Sequence, residues 1–187
     1  MAAFFANYKS PIGELVLVSD GENLTELLIN DWSERNSQAV LSENLPIFAR
    51  AKNWLDRYFA GEKLEANELP LAPNGTSFQQ AVRQELLKIP FGEVTTYGAI
   101  AQKIAADRKL ARMSAQAIGG AVGANPIAII IPCHRVVGAN GNLTGYAGGL
   151  DIKVKLLTRE GLDMRAFFMP NERRSNAKTK SVRNKIL

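Results

Sequence analysis

The chain has 187 residues, 46% hydrophobic and 22% charged, with a formal net charge of +5, one cysteine and one histidine. That length suits one domain or two small ones, and supplies enough apolar material for a core without disulfides or a metal. A lone cysteine excludes an internal disulfide and fits a reducing, cytoplasmic setting; Cys133 and His134 alone cannot furnish a structural zinc site, no apolar run approaches the roughly 20 residues that span a bilayer, and the Met1–Phe5 start has no secretory signal.

The charge is unevenly placed. Residues 1–75 carry six Lys/Arg and eleven Asp/Glu, residues 76–169 carry eleven and six, and residues 170–187 carry six and one. An acidic first part followed by basic later parts points to a polyanion partner for the C-terminal portion. The stretch 170–187 reads as a solvated, disordered basic tail.

In chain order, residues 12–18 (IGELVLV) and 24–29 (LTELLI) read as a hairpin around Asp20-Gly21. Residues 46–60 read as an amphipathic helix with Pro46 in its first turn and Gly61 closing it. The unperiodic stretch 61–75 reads as a linker, giving an N-terminal domain over 1–75 and a second domain over 76–169. That second domain opens with a helix from Thr76 or Ser77 to about Lys88, then a helix over 95–105. A third, SAQAIGGAVGAN, is capped by Ser114 and stopped by Asn125-Pro126. The last two have helix-turn-helix proportions.

The third helix is unusual: each glycine inside a helix costs about 0.8–1 kcal/mol relative to alanine, yet it carries Gly119, Gly120 and Gly123. Missing side chains admit another backbone, either a neighbouring protein element or a nucleic-acid groove. Residues 127–131 (IAIII) read as a buried strand ending at Pro132-Cys133. The glycine-rich 138–149 reads as a mobile loop that covers a ligand, and a last helix runs from Asp151 to Glu160.

A lone cysteine is ordinarily an inert core residue. Here it stands beside the only imidazole, at a predicted strand end, before a glycine-rich loop, and so reads as a nucleophile. With a thiol pKa of about 8.5 it needs a base or positive surroundings. Neighbours on extended backbone point to opposite sides, so His134 reaches the sulfur through a water or a bend, and a carboxylate should orient the ring. Spacing does not say which one.

The strings IPCHRVVG, GYAGGL and LLTREG, preceded by GEVTTYG and AIGGAVGANP, resemble the O6-alkylguanine-DNA alkyltransferase family (methylated-DNA–protein-cysteine methyltransferases) over about residues 76–163. The resemblance is specific, because several ordered motifs stand at matching separations. It is weak over 1–75 and lacking past 170. It implies an α+β protein: a small N-terminal antiparallel sheet with a helix, then a helical, winged-helix-like helix-turn-helix domain that binds DNA and catalyses. The implied activity is stoichiometric transfer of an alkyl group from O6-alkylguanine in double-stranded DNA to Cys133, with O4-alkylthymine left open as a second lesion. No cofactor or metal is called for, and the chain would work as a monomer.

By that resemblance His134 acts as base through a water, Glu160 orients His134, Tyr97 protonates the departing base and Asn125 braces the site. Cys133 and Val136 carbonyls would meet the guanine amino group and the Ala147 N–H would meet O6. Tyr146 walls the pocket, and Lys153 lies near the proton-transfer groups. Ser114, Ala115, Gln116, Gly119, Gly120 and Gly123 would face the minor groove while the damaged nucleotide swings out. No Lys or Arg lies between 114 and 125, so phosphate contacts must come from flanks such as Lys103, Arg108, Lys109, Arg112 and Arg135. Relatives commonly carry arginine where this chain has Gln116, so weaker, still salt-dependent DNA binding is expected. The rivals are a non-catalytic lesion-binding or helix-turn-helix protein, which retention of Cys133 disfavours, and a cysteine hydrolase, which needs direct sulfur–imidazole contact.

Overall fold

The computed structural model of the protein describes residues 3–30 and 38–170, so the basic tail read over 170–187 lies, past Pro170, outside the described residues. Two compact units divide the chain: Met1–Thr76 with Asn125–Ile131, and Ser77–Ala124 with Pro132–Leu187.

In the first unit, β1 (Phe4–Ser10), β2 (Gly13–Ser19), β3 (Leu24–Ile29) and β4 (Val40–Leu41) form one sheet in the order β3-β2-β1-β4. The β2–β3 hairpin read from the sequence is present, and Asp20 fixes its turn by accepting from the N–H groups of Glu22 and Asn23 at 3.0 and 2.7 Å. β1 went unread because FFANYKS buries only Ala6 fully and offers no apolar alternation. The helix α1 (Pro46–Phe59) lays Ile47, Phe48, Ala51, Trp54, Leu55 and Tyr58 into the core, at the spacing one helical face requires.

The IAIII segment is a correction. It is a turn rather than a strand, meeting the sheet through a single bridge from Ile127 to Leu27. The Ile131 N–H returns to the Ile127 carbonyl at 3.2 Å, and Ile129 takes a positive φ of 67°. Five apolar residues in a row, all but Ala128 buried, carry no period in the sequence, so hydrophobicity alone could not separate a strand from a turn. The β3 edge draws the segment in: the Leu27 N–H donates to the Pro126 carbonyl (2.9 Å), and the Ala128 N–H to the Leu27 carbonyl (3.1 Å).

The second unit holds α2 (Ser77–Leu87), β5 (Thr95–Thr96), α3 (Tyr97–Asp107), α4 (Ala115–Gly123), β6 (Val136–Val137) and α5 (Leu150–Arg159). The helix expected from residue 95 starts at Tyr97, because Thr95 and Thr96 pair in parallel with Val136 and Val137. Thr96 caps α3 by accepting from the Ala99 N–H at 3.0 Å, and Ser114 caps α4 by accepting from Gln116 at 3.2 Å. Val82, Leu86, Ile100, Ile104, Ile118 and Val122 are buried where these three helices meet.

The glycine-rich loop is anchored along its first half rather than loose. The Gly138 N–H donates to the Asn142 carbonyl at 2.7 Å, and Leu143 and Phe168 join the loop to the 164–168 segment. At Gly141 a Cβ would stand 2.5 Å from the Ala166 carbonyl, so this glycine serves a close backbone approach.

Candidate active site

Cys133, His134 and Arg135 make one 3-10 turn between Pro132 and β6, closed by the Val136 N–H on the Cys133 carbonyl. Three residues per turn splay successive side chains by about 120°, so Cys133 and His134 diverge without opposing one another as they would on the expected strand. Cys133 is 7% exposed and His134 wholly buried.

His134 Nε2 lies 2.7 Å from Glu160 Oε1. Glu160 sits just past α5, where Gly161 (φ 84°) turns the chain away. Arg135 grips the same carboxylate with two prongs, Nε on Oε2 at 2.9 Å and Nη2 on Oε1 at 3.0 Å, and the Gly92 N–H donates to Oε2 at 3.1 Å. Burial alone would raise the Glu160 pKa, but the charges and bonds of His134 and Arg135 outweigh it and hold the carboxyl far below its usual range. An ionised carboxylate only accepts, so Nε2 carries the proton and Nδ1 holds the lone pair. That Nδ1 is buried and has no hydrogen-bond partner among the described residues. Burial pushes the imidazole pKa down, against the pull of Glu160, so the ring is neutral.

Lys153, on α5, is also fully buried; its Nζ donates to the carbonyls of Val136 (2.6 Å) and Thr144 (2.9 Å). Burial lowers its pKa to about 8, a shift that negative charge on Cys133 opposes. The Tyr97 hydroxyl points at the carbonyls of Thr144 and Gly145, 3.3 and 3.4 Å away. Its pKa is raised by burial and by charge on Cys133, against the bond to Thr144. Amine and phenol thus both feel the sulfur.

Beside this cluster lies a cavity of about 750 Å3, walled by Tyr97, by the cavity face of α4 (Ala115, Gln116, Gly119, Gly120, Gly123) and by residues 144–147, including Tyr146 and Ala147. Cys133 is not one of the lining residues; Tyr97 connects the two, lining the cavity while its hydroxyl senses the sulfur. The α4 glycines have a clear cause. A Cβ on Gly120 or Gly123 would meet nothing within 4 Å, and one on Gly119 would make only ordinary contact with the Tyr97 ring. Among the described residues no protein element needs that smooth surface at Gly120 or Gly123.

The structure therefore gathers Cys133, His134, Glu160, Tyr97, Val136 and Lys153, and puts Tyr146, Ala147, Ala115, Gln116 and the three glycines on the cavity wall. Ser114 stands at the α4 cap and Arg112 is exposed between α3 and α4. Asn125 belongs to the other unit, where its Nδ2 donates to the Ile127 and Ile131 carbonyls, both at 3.0 Å, fixing the turn that leads into Pro132. Arg135 is a correction: its guanidinium is buried on Glu160 and on the Ile89 carbonyl (2.6 Å), and is not presented to a phosphate. The Val136 carbonyl is already taken by Lys153 and the Cys133 carbonyl by Val136. Sequence reading missed Gly92, although the Pro90-Phe91-Gly92 turn was its available signal.

Fold and site define a helix-turn-helix unit that carries a buried thiol, next in sequence to a buried imidazole, and a cavity. Residues 77–162 match the family described as the 6-O-methylguanine DNA methyltransferase DNA-binding domain, and residues 4–73 match its ribonuclease-like domain. The methylated-DNA–protein-cysteine methyltransferase of Haemophilus influenzae is 41% identical over 85% of this chain and 87% of its own length. That of Methanosarcina acetivorans is 45% identical over 84% and 98%. Among solved structures, a Mycobacterium tuberculosis homologue in complex with DNA aligns with TM-score 0.74 at 43% identity, covering 84% of this chain and 92% of that one. The chain belongs to the 6-O-methylguanine DNA methyltransferase family.

Proposed function

We propose that this protein repairs DNA directly, moving the alkyl group of O6-alkylguanine, and of O4-alkylthymine, onto Cys133. The damaged nucleotide rotates out of the duplex into the cavity while α4 lies along the minor groove. His134 Nδ1, acting through a bridging water, takes the Cys133 proton. The thiolate attacks the alkyl carbon, the carbon–oxygen bond breaks, and its electrons leave with the purine. Tyr97 then supplies a proton to that purine, and Lys153 stands ready to restore one to the phenol. Tyr146 stacks on the extruded base, and the Ala147 N–H meets O6. The carbonyls of Cys133 and Val136, each already holding one donor, have a second lone pair for the guanine amino group. Gln116 takes the position vacated in the duplex, Ser114 and Ala115 approach the sugar-phosphate backbone, and Arg112 meets phosphate.

The product is a thioether, which water does not cleave, and the chain has no second thiol to accept the group. Each molecule therefore acts once. The observation that carries this reading is the carboxylate-held imidazole next in sequence to the sole cysteine of the chain, in the same unit as a cavity along whose helical wall a Cβ on Gly120 or Gly123 would meet nothing among the described residues. The same reading divides the labour between an N-terminal domain (1–75) and a DNA-binding catalytic domain (76–169), in a cytoplasmic monomer.

The test is intact mass spectrometry after incubation with an oligonucleotide containing O6-methylguanine. One methyl should be gained, on the peptide containing Cys133. Binding without a mass change would favour a lesion-binding protein, and more than one methyl removed per molecule would exclude single use.

A further inference from the structure

We propose that Arg135 is a positioning residue for the transfer: together with the Gly92 N–H it saturates the Glu160 carboxylate, so that Glu160 aligns His134 without sharing its proton and Nδ1 stays a lone pair. This rests on the reaction proposed above and assigns the arginine a task in it.

A carboxylate offers about four acceptor positions, and here four donors fill them. His134 Nε2 and Arg135 Nη2 lie on Oε1, while Arg135 Nε and the Gly92 N–H lie on Oε2. The guanidinium is fixed from behind by Nη1 on the Ile89 carbonyl at 2.6 Å, and its carbon stands 5.8 Å from the centre of the Phe91 ring. The run Ile89–Gly92 thus holds both the arginine and the carboxylate it serves. At Gly92 (φ 76°) a Cβ would stand 2.9 Å from the Glu160 carbonyl, so a side chain there would push this cradle apart.

The charged and titratable groups acting on the imidazole are Glu160 and Lys153 from the α5 region and Arg135 from its own turn, with Cys133 beside it and Tyr97 from α3 facing Cys133. Glu160 favours the imidazolium, whereas Arg135 and Lys153 oppose it. Without the arginine, the His134–Glu160 pair would hold an extra proton. An imidazolium Nδ1 donates and cannot accept, so the base would be lost over the pH range in which that extra proton is held and regained as the pH rises.

Because His134 is the only histidine, ring-15N-histidine NMR reports a single imidazole. Spectra and single-turnover methyl-transfer rates would be followed between about pH 5 and 9 for the wild type, Arg135→Lys and Arg135→Gln. The wild-type ring should remain the Nε2–H tautomer and titrate below the ordinary value of about 6.5. The Gln variant should titrate at least about one unit higher, a tenfold tighter hold on the proton. Its transfer rate should be about halved at the raised midpoint, fall further below it, and recover as the pH rises. The Lys variant, keeping the charge but not the fork, should lie between, and it decides the matter if the Gln variant does not fold. A folded variant with the wild-type midpoint and pH profile would overturn the proposal, as would a wild-type ring titrating at 6.5 or above. A wild type that gains no methyl would instead sink the transfer reading, leaving the titrations to judge the arginine.

Discussion

The isolation of Cys133 and His134 in the sequence reads as a reactive pair, but the direction in which each side chain points was not legible there. A strand would set them on opposite faces; the 3-10 turn sets them at an angle, with the ring turned to Glu160 and charge on the sulfur felt by Tyr97 and Lys153. Arg135 shows why charge is the weakest guide. A basic residue beside the nucleophile suggested a phosphate contact, whereas its partner lies 25 positions away and buried. Two outcomes follow at this scale. Cys133→Ser should abolish methyl uptake in the mass assay while oligonucleotide affinity, read by fluorescence anisotropy, stays within about threefold, since an oxygen at that place remains protonated. Tyr97→Phe should leave that affinity within about threefold yet slow single-turnover transfer by about 10²-fold, as expected when a purine must depart without its proton donor.

At the scale of elements, the helices were readable because 3.6-residue spacing and capping residues survive in one dimension; Ser114 and Thr96 cap as their types predict. The two-residue strands β4, β5 and β6 were not, since pairs that short are chosen by tertiary partners. α4 bears on one alternative left open by sequence. With open space beside Gly120 and Gly123, alanine at either position should stabilise the fold by about 0.8–1 kcal/mol in urea titrations. The same changes should weaken binding to duplex DNA, which anisotropy would detect; unchanged affinity would remove α4 from the interface. Gln116→Arg should strengthen binding and steepen its dependence on log salt by about one.

At the scale of the whole molecule, the buried ionisable groups set how stability responds to acid. His134 and Glu160 both have pKa values lowered by folding, so the unfolded chain binds more protons as each ordinary value, about 6.5 and 4.3, is crossed downward. Stability should therefore be fully present above pH 6.5 as far as these two groups are concerned and fall steadily below it. Lys153, at about 8 when folded against an ordinary 10.4, adds a further rise between those values. Urea midpoints measured from pH 4 to 10 would check the sign, and a flat profile between 4 and 6.5 would contradict the buried pair.

The ladder of Thr95-Thr96 with Val136-Val137 joins the segment just before Tyr97 to the one just after Arg135. The phenol and the thiol are thereby splinted, so a loosening at either should be felt at once by the other. Amide hydrogen exchange would display this as a single opening event shared by both stretches, arriving together as denaturant is raised.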